Sequence, residues 1–186
     1  MPTEQEKPGD RPPSVRLFVE MPLAAGAAVE CTSAQANYLG NVMRLGVGDR
    51  LLVFNGRDGE WLARLAMAKK GRCVLAADEQ TRAQGGGPDI HYLFAPLKKA
   101  RLDYMVQKAT EMGAALLQPV ITRRTIAERV NSERMRANAI EAAEQCGILR
   151  LPEVREPERL GSVLKDWPQG RLLVFADEAA PIASPL

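Results

Sequence analysis

The spacing of apolar and polar residues changes character partway along the chain. VRLFV (15–19) predicts a short strand, DRLLVFNG (49–56) another, and RDGEWLARLAM (57–67) alternates, with Trp61, Ala63, Leu65 and Met67 on one side and Glu60, Leu62 and Arg64 on the other. The turn-forming NGRDG between the last two makes them a hairpin. CVLAA (73–77) follows the KKGR turn as a further strand, and a helix over 33–44 starts from Thr32 or Ser33 as its cap. Short strands at this spacing predict a small β-barrel.

EQTRAQGGGP (79–88) is polar, then triple glycine, then proline, and reads as a linker. Beyond it the pattern is that of a parallel α/β sheet. HYLFA (91–95) is a continuous apolar run, as in a strand covered on both faces. A helix from about 98 carries Leu102, Met105, Val106, Ala109 and Met112 on one stripe, and Gly113 ends it. ALLQPV (115–120) predicts the next strand. A second helix runs from Ser132, read as its cap, to Cys146, with Gly147 as its stop, and LLVFAD (172–177) predicts a third buried strand. The predicted organisation is a mobile tail over 1–14, a barrel over 15–80, a linker over 81–88 and an α/β domain over 89–186.

Composition narrows the class. The chain has 186 residues, 46% of them apolar, which suffices for a packed core. No apolar run reaches the length of a membrane span and no signal peptide is visible, so a cytoplasmic protein is expected. The three cysteines, Cys31, Cys73 and Cys146, have no metal or disulfide spacing; each reads as a small core residue in a reducing compartment. His91, the only histidine, has no visible partner and reads as structural. GGG (85–87) precedes a strand rather than following one, so it is no phosphate loop.

Net charge is only +2, but cations cluster. Lys98, Lys99, Arg101 and Lys108 face only Asp103, and Arg123, Arg124, Arg129, Arg134 and Arg136 face only Glu128 and Glu133. If they fold together they form a footprint for phosphate; otherwise they are solvated faces. Placing Lys98–Arg101 at a helix N-terminus opposes the helix dipole, a cost that a bound polyanion offsets. Arg101, Tyr104, Lys108 and Glu111 form one stripe of that helix, and Glu141, Glu144 and Gln145 an edge of the next; each reads either as a solvated face or as a contact for RNA, substrate or a partner subunit.

Taken together, VRLFV, YLGNVMRLGVGDRLLVFNG, FAPLKKARLDYMVQKATEMGAALLQPV and IEAAEQCG resemble the bacterial 16S ribosomal RNA (uracil-N3) methyltransferases of the SPOUT class, in collinear order over about 15–178. The resemblance implies an α+β two-domain chain: a PUA-like β-barrel that helps bind RNA, then an α/β domain with a deep trefoil knot that binds S-adenosylmethionine. It implies homodimers acting on the 16S RNA of the small ribosomal subunit; the residues themselves show no metal constellation and no membrane-length run, so neither a metal nor a membrane is expected. Carried over by position, Arg16, Arg44, Lys98, Lys99, Arg101 and Lys108, with Arg123 and Arg124 from the second cluster, are expected at RNA phosphates. Glu144 and Gln145 are expected near the catalytic centre or interface.

Three departures stand out. Tyr38 replaces a usual histidine, and Cys146-Gly147 follows EAAEQ where the family has serine. The family's Gly-Pro-Glu-Gly-Gly loop and Leu-Arg-x-Glu-Thr-Ala segment, which cradle the cofactor, do not occur, so no cofactor residue can be assigned and the α/β domain reads as incomplete at its C-terminus. Two rivals follow: a non-catalytic RNA-binding or ribosome-associated fragment, and a SPOUT enzyme with another target base.

Overall fold

The structure, a computed structural model, describes residues 13–69, 71–125 and 130–177. Most of the expected tail (1–12), Lys70 of the KKGR turn, and Glu128 and Arg129 of the second charge cluster lie outside the described residues.

The N-terminal half is one five-stranded sheet. Its strands are β1 (Arg16–Phe18), β2 (Ala28–Glu30), β3 (Arg50–Phe54), β4 (Glu60–Lys69) and β5 (Arg72–Arg82), in the order β1-β3-β4-β5-β2. The expected hairpin is β3–β4, antiparallel, with Val53 opposite Trp61. Asn55 shapes its turn: its side-chain oxygen accepts from the Arg57 and Asp58 amides, at 3.0 and 2.8 Å, and its amide donates to Asp58. The closed barrel is not found. β1 and β2 are the two edges, do not pair with each other, and are three residues each. All five strands nevertheless contribute to one core, with Val29, Leu51, Val53, Ala63 and Leu75 wholly buried, and three register shifts between β4 and β5 bend the long hairpin round it.

The helix expected over 33–44 is a single turn of α1 (Ser33–Asn37) followed by a π-helical turn, Tyr38–Val42. Thr32 is its cap, in a reciprocal capping box with Gln35. The polar 79–82 segment, expected in the linker, continues β5. Gln80 and Arg82 pair with Trp61 and Glu60, and Thr81 donates to Glu60. A polar strand at an edge of the core has backbone bonds to satisfy whatever its side chains are.

The C-terminal half has β6 (His91–Phe94), α2 (Lys99–Glu111), β7 (Leu116–Ile121), α3 (Ser132–Cys146), β8 (Glu153–Val154), β9 (Glu158–Arg159) and α4 (Leu160–Lys165). β6, β7 and β8 are parallel neighbours, and β9 also pairs with β7. Helices α2 and α3 bury Val106, Met135 and Ala139 against Phe94 and Leu117 on one face of the sheet. The cap of α3 is Asn131 rather than Ser132; its side chain accepts from the Arg134 amide. Met112, expected on the apolar face of α2, is the exposed C-cap residue, and Cys146, expected in the core, is exposed.

The third strand position belongs to β8 and β9, not to 172–177. That segment forms no strand, and Leu172, Val174 and Phe175 are 83%, 73% and 79% exposed. An apolar run records that a segment needs cover; pairing requires a free edge in the right register as well. β8 and β9 are in effect one strand with a one-residue bulge. Leu117 faces Val154, but Val120 faces Glu158, so the offset grows by one. Pro157 supplies no N–H there, and the buried side-chain amide of Gln118 donates to the Glu156 carbonyl at 2.9 Å.

Candidate nucleic-acid interface and interdomain seam

The parallel register of β6 and β7, with Phe94 opposite Pro119, brings the chain out of both strands at one end of the sheet. Lys98 and Lys99 follow β6, and Arg123 and Arg124 form the turn after β7. The two charge clusters of the sequence therefore meet at the carboxyl end of the sheet, where open parallel sheets bind ligands. Lys98, Lys99, Arg101, Arg123 and Arg124 are all exposed, and none is within ion-pair distance of a carboxylate among the described residues. Helix α2 also starts with neither a capping side chain nor an acidic first turn, so the first N–H groups stay open to an anion.

Other cations of the clusters are committed. Arg134 grips Asp103 through two bonds, 2.9 and 2.6 Å, which holds the Asp103 carboxyl below the usual carboxylate range. Arg136 reaches Glu20 at 3.1 Å in the N-terminal half. Lys108 pairs with Glu111 at 2.6 Å and lies over the Tyr104 ring at 5.7 Å, about two turns down α2 from Arg101. Arg44 is exposed in the loop before β3 and has φ of 56°, the only non-glycine positive φ among the described residues. His91 lies 3.4 Å from Asp89, which Arg171 also binds.

Arg16 sits elsewhere, in the seam between the halves. Its side chain is 10% exposed and its guanidinium is fully engaged. Nε donates to Glu60 at 2.6 Å, Nη1 to the Ala143 carbonyl and Nη2 to the Ile148 carbonyl at 2.9 Å, while the group covers the Phe54 ring at 3.8 Å. Arg82 donates to the Gly147 carbonyl at 2.9 Å. Two arginines of the N-terminal sheet thus close the C-terminus of α3, where cations meet the negative end of the dipole. Gly147, at φ 77°, makes the sharp exit that exposes those carbonyls. Phe18 and Phe54 pack beneath them on Ala143 and Leu149.

Glu144 belongs to this seam. One carboxyl oxygen accepts the Phe18 N–H at 2.8 Å, and Gln35 donates to the Phe18 carbonyl. Burial raises its pKa, with the Phe18 N–H and Arg16 opposing and Glu141 reinforcing. Glu144 and the exposed Gln145 line a cleft of about 760 Å³ between the halves, together with Thr32, Gln35, Tyr38 and Glu141. Helix α3 starts at the basic end and finishes at the seam. At 1.5 Å per residue this puts Glu144 roughly 18 Å from the cations. The cations and Glu144 therefore lie toward opposite ends of α3. Sequence reasoning missed the Arg16–Glu60 pair, for which the only signal was Glu60 on the same side of the predicted strand as Leu62.

A second groove, about 800 Å³, runs between β6, α4 and the 171–176 segment. Its walls are apolar enough for a purine, but its one carboxylate, Asp89, is already taken by Arg171 and His91. This groove offers no free charged group to hold ribose hydroxyls and an amino-acid group, so its described residues do not by themselves fit S-adenosylmethionine.

A five-stranded sheet with a capped helix, joined to a parallel α/β layer with a basic carboxyl end, makes this a two-part α+β chain. Residues 86–184 match the RNA methyltransferase domain family, and 32–77 the RNA methyltransferase PUA domain family. The chain belongs to this RNA methyltransferase family. It is 30% identical to Ribosomal RNA small subunit methyltransferase E of Rickettsia conorii over 88% of its length and 66% of the relative's. To the Synechocystis protein of the same name it is 30% identical over 89% of this chain and 55% of that one. The crystal structure of the Neisseria gonorrhoeae enzyme of that name, bound to S-adenosyl methionine, superposes with a TM-score of 0.76 at 25% identity, covering 83% of this chain and 66% of that one. The chain thus spans somewhat less than two thirds of the length of these relatives.

Proposed function

We propose that this chain acts in S-adenosylmethionine-dependent methylation of N3 of a uridine in small-subunit ribosomal RNA, as an RNA-binding unit whose first part runs from 15 to the end of β5 at Arg82 and whose second is 89–186, joined through 83–88. The observation that carries the reading is the convergence of unpaired cations from two separated sequence segments at the carboxyl end of the sheet of a family α/β domain. The names of the relatives supply the small-subunit RNA, and the structure of the Neisseria protein supplies the cofactor. The uracil-N3 target, the knotted cofactor site and the homodimer belong to the same proposal and come from the sequence resemblance.

The chemistry sets requirements. The N3 proton must leave, because the neutral imide nitrogen has no available lone pair, and the base must be unpaired to expose its Watson–Crick edge. Nearby cations lower the cost of the uracil anion, and positioning supplies much of the rest. In this chain the strip formed by Lys98, Lys99, Arg101, Arg123 and Arg124 holds phosphates. Arg16 and Glu144 act by fixing the two halves relative to each other. Gln145, exposed in the cleft, is the member of the expected catalytic pair free to touch RNA; Arg44 and Lys108 contribute charge at a distance.

The test is twofold. Calorimetric titration of the folded chain with S-adenosylmethionine separates an enzyme from an RNA-binding fragment: saturable heat supports the enzyme, and no heat favours the fragment. Lys98→Ala or Arg101→Ala is expected to weaken RNA binding and flatten its dependence on salt, and an unchanged slope removes that residue from the contact. Nucleoside analysis of RNA methylated by the chain identifies the target base.

A further inference from the structure

The bulge between β8 and β9 has a chemical consequence. Residues paired in a parallel ladder share a face of the sheet. Leu117, Phe94 and Val154 all pack in the core under α2 and α3, so the odd-numbered positions of β7 face the helices. Ile121 continues that series, and its partner is Arg159. Glu158 pairs with Val120 and takes the opposite face. Had the β8 offset continued, Glu158 would have stood opposite Ile121, putting a carboxylate on the helix face. The extra residue at Arg155–Pro157 therefore sorts the two charges: the cation to the side where α2 begins with Lys98 and Lys99, the carboxylate to the other.

We infer that Arg159 is the third-strand member of one continuous strip for the backbone of single-stranded RNA, crossing the carboxyl end of the sheet from Lys98 and Lys99 at β6, over Arg123 and Arg124 at β7, to Arg159 at β9. Arg159 is exposed and, among the described residues, pairs with no carboxylate. The six cations of the strip, Arg101 included, share that end of the helical layer with Glu133 in the first turn of α3, while Asp103 is held by Arg134 and Asn138. Neighbouring strands lie about 4.8 Å apart, so three strand ends span on the order of 10 Å, enough to meet successive phosphates of one strand. The strip rests on the RNA reading above, but assigns it a direction, across the strands, and a residue that the charge clusters of the sequence did not contain.

The experiment measures binding of a short fluorescein-labelled single-stranded RNA to the full chain over a KCl series. Arg159→Gln is expected to weaken binding several-fold at low salt and to lower the slope of log K against log salt by about 0.7, the value for one phosphate contact on a single strand. Arg159→Lys is expected to restore most of the slope, and Glu158→Gln to leave it unchanged. Thermal melting of each variant reports folding. A wild-type slope with no change in folded Arg159→Gln overturns the inference and leaves the RNA reading standing. Absence of salt-dependent RNA binding by the wild type overturns both. An equal slope change in Glu158→Gln also overturns it, because the face assignment would then be wrong.

Discussion

Replacing Arg16 by Met separates two roles that an arginine on an opening strand could have. The substitution leaves an apolar side chain of similar length beside Phe54 and removes the guanidinium that covers its ring. Glu60, 5% exposed at its side chain, is then left with Thr81 at 3.2 Å and Arg82 at 3.6 Å. The Ala143 and Ile148 carbonyls lose their donor at the end of α3. Breaking a buried pair by removing one partner costs about 3–5 kcal/mol, a large share of the roughly 5–15 kcal/mol that holds a domain folded. The assay is urea unfolding followed by tryptophan fluorescence. Trp61 lies in β4 and Trp167 just beyond α4, so Trp167→Phe and Trp61→Phe backgrounds report each half separately. In Arg16→Met the stability is expected to fall by about that amount and the two midpoints to separate, because the seam couples the halves. Adding Glu60→Leu is expected to recover much of the loss, since the buried charge goes with its partner. A fall below about 1 kcal/mol, with a reduced salt slope for RNA, would refute the seam argument and return Arg16 to the phosphates.

Two further outcomes follow from the geometry. A Cβ at Gly59, φ 80°, would stand 2.2 Å from the Arg82 carbonyl oxygen and 2.9 Å from the Gln84 nitrogen, so Gly59→Ala is expected to cost more than about 2 kcal/mol in denaturant titration, and a smaller loss would mean that the end of β5 yields easily. The Glu144 pKa is raised, so its favourable contribution is complete below the unfolded value near about pH 4.3 and is lost as pH rises through the folded value. Glu144→Gln keeps an acceptor for the Phe18 N–H without the charge. Its stability relative to wild type is expected to rise with pH and then level off, and a relative stability that falls with pH would show that Arg16 outweighs burial.

The local signals in the sequence carried a good deal. The alternation around Trp61 and the NGRDG turn specified the β3–β4 hairpin, and the capping box at Thr32 started α1, because these depend on neighbours a few residues away. The helical stripes of α2 and α3 and the apolar runs at His91–Phe94 and Leu116–Ile121 specified the parallel layer in the same way. Family motifs, from VRLFV to IEAAEQCG, gave the family that the comparisons show. What the tertiary structure decided was every outcome that depended on pairing at long range. The sheet stayed open because its two three-residue edges never meet. The third strand position went to the polar 153–159 segment rather than to the apolar 172–177, because register and a buried Gln118 favour a strand that composition does not announce. Arg16 and Lys98 look alike as basic residues in a string of letters. Only the fold puts one under a helix terminus, where desolvation demands internal partners, and leaves the other at a sheet end, where its charge remains available to a polyanion.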